Sequence, residues 1–227
     1  MTVIKGYNSI LLTEKCWKIN ANQKKYFIRI EKNINRLINV VNDMLDLWRL
    51  ESWKTSFDFQ EFDIWKLLKN DISDYFEDLC KAKKIDFQVK AFNLKVISDS
   101  EKIKQVLINL IWNAYKFTSE WGKIEIVLEI IWQKSFKISV IDNWVWIPKQ
   151  NIAQIFKKFY QINNQLQKTE EWTWLWLPIS KTIVEGLWWH MNVDPNPKET
   201  GSIFSITLNI NWRENKSTKI CPSPQEN

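Results

Sequence analysis

The chain has 227 residues, 45% of them hydrophobic and 26% charged, with a formal net charge of +6 and a pI near 9.1. That composition suits a soluble globular protein with room for one sizeable domain and a smaller one. It excludes a membrane segment, because no apolar run reaches the roughly 18 residues of a span, and the N-terminus lacks a signal-peptide pattern.

Residues 2–16, "TVIKGYNSILLTEKC", read as a helix entered in mid-course, since no cap precedes the apolar pattern of Ile4, Tyr7, Ile10 and Leu11. After a polar break, Phe27, Ile30, Ile34, Leu37, Val41, Met44 and Trp48 step alternately by 3 and 4, which is a heptad seam. A hairpin of two such helices is too thin to cover its own seam. Residues 1–52 are therefore expected to form half of a dimeric four-helix bundle. Residues 53–62 read as a linker or an edge strand. A helix over 63–83 follows, with Ile64, Leu67, Leu68, Ile72, Phe76 and Leu79 on one side. "IDFQVK" and "LKVISD" alternate as strands. Residues 100–118 make the next helix, and "GKIEIVLEI" and "SFKISVID" two further strands. A loop-rich stretch over 143–174 leads into the helix "LPISKTIVEGL", and "HMNVD" and "GSIFSITLNI" complete a mixed sheet. The tail, 212–227, is polar and reads as disordered. The expected class is α+β: a helical hairpin, then over 63–211 an α/β sandwich with helices on one sheet face.

Several partners are disfavoured. The lysines are spread along the chain and form no stripe, so nucleic acid is not expected. Cys16, Cys80 and Cys221 are too widely spaced for a zinc site or a disulfide framework, which favours a reducing, cytoplasmic setting. The lone His190 has no partner at ligand spacing and reads as structural.

The chemistry is concentrated in three stretches. In "VLINLIWNAYKFT", Asn109, Asn113 and Lys116 fall at i, i+4 and i+7 on one helix face, while Leu110, Ile111, Ala114 and Phe117 serve the packing side. An amide oxygen can hold a hard cation such as Mg²⁺, and an ammonium can neutralise phosphate. Alone, such a face is more often simply solvated; the neighbouring motifs change the balance. Asp142 closes the apolar strand "KISVID" and opens the loop "DNWVWIPKQ". "EEWTWLWLPIS" runs into a helix whose first N–H groups could receive phosphate. Between them, "IFKKFYQIN" sets Phe156 and Phe159 at i, i+3, able to pin a loop by its apolar side.

In this order and spacing the motifs resemble the sensor histidine kinases of the GHKL ATPase superfamily. "INLIWNAYKFT" is similar to the N box, "DNWVWI" to the first glycine box, "IFKKFY" to the F box, and "EEWTWLWLPISKTIVEGLWWHM" to the second glycine box with a following Gly-Gly pair. "TVIKGY" and "NRLINVVNDMLDLWRLES" resemble the two helices of the dimerisation and phosphotransfer domain. The likeness covers nearly all of residues 1–211. It implies a homodimer that binds Mg-ATP, transfers the γ-phosphoryl to a histidine on the hairpin and passes it to an aspartate of a response-regulator receiver domain. It further implies that Asn113 ligates Mg²⁺, that Asn109 and Lys116 stand near the phosphates, and that Asp142 accepts a hydrogen bond from the adenine amino group. Residues 148–172 would form the ATP lid. The remaining nucleotide contacts would be Trp144, Trp146, Ile147, Phe159, Trp172, Thr173, Trp174, Leu175, Trp176 and Leu177.

Two departures from the family pattern shape the expectation. The histidine-containing box is absent; the resemblance places it just upstream of Met1, so no catalytic histidine lies in this stretch. The stretch alone is not expected to autophosphorylate, and a membrane anchor in a longer protein is compatible with the pattern. The second departure is compositional. Only 4 glycines occur, where average usage of about 7% predicts roughly 16, and tryptophan stands at 15. Trp144, Trp146, Trp172, Trp174, Trp176, Trp188 and Trp189 all occupy family glycine positions, where φ > 0 and close approach to phosphate are required. Trp53, Trp112 and Trp121 also suit small-residue positions. Some bacteria read the codon UGA as glycine, and other genetic codes read it as tryptophan. A gene of the first kind translated by the second table would produce this pattern. Taken literally, the tryptophans suggest instead a dimerising regulator whose GHKL fold has lost nucleotide binding.

Overall fold

The computed structural model describes residues 2–13, 17–51, 56–131, 135–143, 147–158, 160, 176–197 and 200–209. Helices α1 (Thr2–Leu12) and α2 (Ala21–Glu51) form a hairpin. The start of α2 is set by a reciprocal cap: Gln23 N–H donates to Asn20 Oδ1 at 2.8 Å, and Asn20 N–H donates back to Gln23 Oε1 at 2.9 Å. Between the helices the buried Asn8 donates through Nδ2 to the Phe27 carbonyl at 3.0 Å, a polar link that holds their mutual register.

Strand β1 (Gln60–Asp63) pairs antiparallel with β3 (Lys95–Ser98) in a two-stranded sheet apart from the main one. Asp63 then caps the next helical rod, accepting from Trp65 N–H at 2.9 Å. The rod is not a uniform α-helix. It runs as α3 (Ile64–Lys66), a π-helix (Leu67–Ser73) and α4 (Asp74–Ala82). The buried residues explain this: Leu68, Ile72, Phe76 and Cys80 recur every fourth position, a spacing that drifts off a period of roughly 3.6 residues. A wider turn brings them back into line against the core. Cys80 is fully buried, and burial pushes its thiol up to about 11.

Strand β2 (Asp86–Lys90) leads to β3, helix α5 (Ser100–Phe117), β4 (Lys123–Ile131), β5 (Ser135–Asp142), the short α6 (Lys149–Ile152), α7 (Trp176–Gly186), β6 (His190–Pro195) and β7 (Ser202–Asn209). The five-stranded sheet has the order β2-β4-β5-β7-β6. Only β2–β4 is parallel, so the sheet is mixed. Alternate residues Ile124, Ile126 and Leu128, Phe136, Ile138 and Val140, and Phe204, Ile206 and Leu208 are buried beneath the helices. α5 contributes Ile103, Val106, Leu107, Leu110, Ile111 and Ala114 to that layer, and α7 contributes Ile179, Ile183 and Val184. The expected hairpin and mixed-sheet sandwich are both present.

The C-terminal turn of α7 tests the tryptophans directly. Trp189 N–H reaches back to the Val184 carbonyl at 2.9 Å and Trp188 N–H to the Glu185 carbonyl at 3.0 Å, the paired bonds of a Schellman cap. Trp188 is left-handed, with φ 64. That position favours glycine because a Cβ crowds the following carbonyl. Trp121, in the turn before β4, is left-handed as well, with φ 65. Trp189 is different: it is buried, and its ring meets Phe136 edge-on at 5.2 Å between centroids.

Candidate functional site

Helix α5 begins on Asp99, whose Oδ1 accepts from Lys102 N–H at 3.0 Å. Its packing side is set by the apolar residues of the core, which leaves Asn109, Asn113 and Lys116 half-buried along the adjoining face. The far end of the helix is closed from another element. Lys83 Nζ donates to the Tyr115 carbonyl at 2.8 Å, with the Lys116 carbonyl at 3.5 Å. A cation at that end complements the helix dipole and holds the turn carrying Lys116. The Lys116 ammonium stands 4.8 Å from the centre of the Phe117 ring.

Asn109 does not face solvent alone. Its Nδ2 donates to Ser180 Oγ of α7 at 3.1 Å, across 71 positions of sequence. Ser180 is fully buried. With Nδ2 engaged, the amide's oxygen remains the acceptor side, which is the side a hard cation uses.

Asp142 ends β5 on the same face of the sheet as Val140 and Ile138, beneath the helix layer, and is buried. Ser202 N–H donates to its Oδ1 at 3.1 Å, and Asn196 Nδ2 donates to its carbonyl oxygen at 3.1 Å. Gly201 makes this possible. Its φ is +147, and a Cβ there would collide with the Asp142 carbonyl oxygen and stand 2.8 Å from the Asn143 Cα. Asn143 in turn accepts from Lys123 N–H at 2.7 Å, pinning the β5 exit to the start of β4. A buried carboxylate fixed by a backbone donor is an acceptor suited to an amino group.

Ile147, Ile152 and Phe156 pack against the core, and Ile155 is buried there. Lys181 of α7 stands 5.1 Å from the Phe156 ring centre. Trp176 and Leu177 are half-buried in the first turn of α7. Trp144, Trp146, Phe159, Trp172, Thr173, Trp174 and Leu175 lie outside the described residues, as do Cys16, Cys221 and the tail. Asn196, Gly201, Ser202 and Ser180 were not singled out from the sequence. Each is an ordinary polar or small residue whose importance comes only from what folding sets beside it; the signal the sequence offers is that Gly201 is one of only 4 glycines. Among the described residues no group of three or more His, Cys, Asp or Glu could hold a metal ion.

Residues 98–211 match the family described as histidine kinase-, DNA gyrase B- and HSP90-like ATPase, and residues 1–53 match the His Kinase A phospho-acceptor domain. The chain belongs to the sensor histidine kinase family. It shares 30% identity over 199 residues with the sensor histidine kinase GacS of Pseudomonas protegens, covering 85% of this chain and 22% of that protein. With WalK of Bacillus subtilis it shares 28% over 188 residues, 82% of this chain and 30% of that one. The chain thus spans under a third of either relative. Among solved structures, histidine kinase ThkA in complex with the response regulator TrrA superposes with a TM-score of 0.68 at 25% identity, covering 94% of this chain and 58% of the other. AdeS of Acinetobacter baumannii shows the same fold, with a TM-score of 0.68 at 21% identity over 92% of this chain and 95% of that one. The helical hairpin and the sheet domain therefore match the two domains of the histidine kinase family, and no helix among the described residues is long and apolar enough to cross a membrane.

Proposed function

We propose that this chain is the core of an ATP-dependent protein histidine kinase. Residues 1–52 serve as the dimerisation and phosphotransfer hairpin, and 63–211 as the domain that presents Mg-ATP. The phosphoryl group would go to a histidine in a preceding segment and on to a response-regulator aspartate. The observation that carries the reading is Asp142: a buried strand-end carboxylate, oriented by Ser202 N–H and by the glycine that lets the backbone close behind it. Asp142 would recognise the adenine amino group, Asn113 would hold Mg²⁺, and Asn109 and Lys116 would stand by the phosphates. Mg²⁺ supplies charge neutralisation at the transferring group; the residues named here bind and orient.

The same proposal includes glycine as the natural residue at Trp144, Trp146, Trp172, Trp174, Trp176, Trp188 and Trp189, encoded by UGA. Two left-handed tryptophans support a glycine requirement, Trp188 within that set and Trp121 outside it. Trp189, well packed against Phe136, favours the second reading, a regulator that uses its tryptophans as they stand. Reading the codons separates these: UGG at most of the positions sinks the recoding idea.

The activity test uses a version with those tryptophans changed to glycine and extended upstream through the histidine box. Asn113→Ala should abolish Mg-dependent incorporation of labelled phosphate. Asp142→Ala should weaken ATP binding by calorimetry, by about 1.5–3 kcal/mol or roughly 10- to 150-fold. Wild-type phosphorylation in the first variant, or unaltered affinity in the second, overturns the assignment.

A further inference from the structure

The segment joining the hairpin to the sheet domain touches both helices that bear on the nucleotide face. Phe57 lies against α7 at Gly186: a Cβ added to that glycine would stand 2.6 Å from Phe57 Cζ and 2.8 Å from Cε2. Only a bare Cα leaves room for the ring. The next residue is tied to α5, for Asp58 N–H donates to Asp99 Oδ2 at 3.0 Å while the other oxygen of that carboxylate caps the helix. Helix α2 also packs against α7. Earlier on the same helix, at Ser180, α7 receives the Asn109 amide. The Phe57–Gly186 and Ser180–Asn109 contacts are therefore joined through α7, linking the joining segment to the candidate phosphate face.

We propose that Phe57 is a positioning residue: seated on the bare Cα of Gly186, it sets where α7 stands and, through Ser180, which way the Asn109 amide faces. The physical reason is leverage. α7 is held on the sheet by apolar contacts that tolerate small slides. The Asn109–Ser180 bond tolerates little, because hydrogen-bond strength falls steeply with distance and angle. A ring wedged at one end of a rigid helix converts a slide of the joining segment into a misaligned bond at the other. This inference extends the nucleotide reading of α5 but is tested without assuming it.

The experiment follows the side-chain amide signal of Asn109 by NMR in the whole chain with Asn-selective labelling, the signal being identified by its loss in Asn109→Asp. Phe57→Ala empties the seat, Gly186→Ala fills it, and Ser180→Ala removes the acceptor. All three should move the Asn109 signal and speed exchange of its protons, and Phe57→Ala should add nothing once Ser180 is alanine. If Phe57→Ala does not fold, Phe57→Leu, which keeps apolar bulk without the ring, is read the same way. A lowered Tm with an unmoved Asn109 signal overturns the proposal, because Phe57 would then be packing only; so does an unmoved signal in Ser180→Ala. Titration with Mg-ATP, in a version with the seven glycine-motif tryptophans changed to glycine, supplies the second reading, a loss of affinity of about fivefold or more in Phe57→Ala. If no variant nor the parent binds ATP while the Asn109 signal responds, the positioning role stands and the nucleotide reading falls.

Discussion

The hairpin and the sheet domain dispose of their apolar residues in opposite ways. Leu37 is 52% exposed and Trp48 59%, with Ile30, Val41 and Met44 of the same seam also open and Val3, Ile4 and Tyr7 open on α1. In the sheet domain Leu110, Ile111, Ile126 and Ile138 are sealed from solvent. Composition does not separate the two regions; architecture does. A sheet under a layer of helices encloses a core within one chain, whereas two helices bury only the stripe between them. The sheet domain thus encloses its core within one copy, and the hairpin presents an apolar surface of the kind the proposed homodimer would cover.

That contrast can be broken at its strongest point first. Trp189→Gly in the chain as written should destabilise the sheet domain by about 3–5 kcal/mol, because a large buried ring leaves a cavity beside Phe136; equilibrium denaturation should show it equally at all protein concentrations. Next, Leu37→Glu combined with Val41→Glu should raise the dimer dissociation constant by at least about 100-fold, close to 3 kcal/mol, in sedimentation equilibrium, with the sheet domain's unfolding unchanged. Unaltered sedimentation would show the seam to be ordinary surface.

The third effect belongs to pH. The Cys80 thiol is raised from 9.0 to about 11 in the folded chain by burial, with Lys83 opposing. Folding then retains a proton that the unfolded chain releases, so stability is intact below pH 9 and is lost as pH rises from about 9 to 11, by about 2–3 kcal/mol. Cys80→Ala should flatten that slope in urea titrations. Trp188→Gly should stabilise the chain by about 1 kcal/mol by relieving a left-handed residue, opposite in sign to its neighbour Trp189→Gly. A loss at 188 would mean the exposed ring makes contacts worth more than the backbone strain.

Much of this was open to reading along the chain. The heptad seam of α2, the strand alternation and the face shared by Asn109, Asn113 and Lys116 are periodic features, and periodicity reports which side of an element is wet. The π-helix was not legible, since a four-residue recurrence of apolar positions is compatible with an ordinary amphipathic helix until the core demands alignment. The separation of β1 and β3 into their own sheet also escaped, because alternation tells which residues face inward and not which strand lies alongside.

The fold class and the shared helix face of Asn109, Asn113 and Lys116 were legible in the sequence, because each depends on residues close together in the chain. The folded chain sets Gly201 behind Asp142, gives the Asn109 amide to Ser180 and rests Phe57 on Gly186. It also leaves Trp188 strained where Trp189 is buried. These contacts join residues that are far apart in the chain, or depend on which way one backbone turn opens toward the core. Packing selects them; local propensity does not.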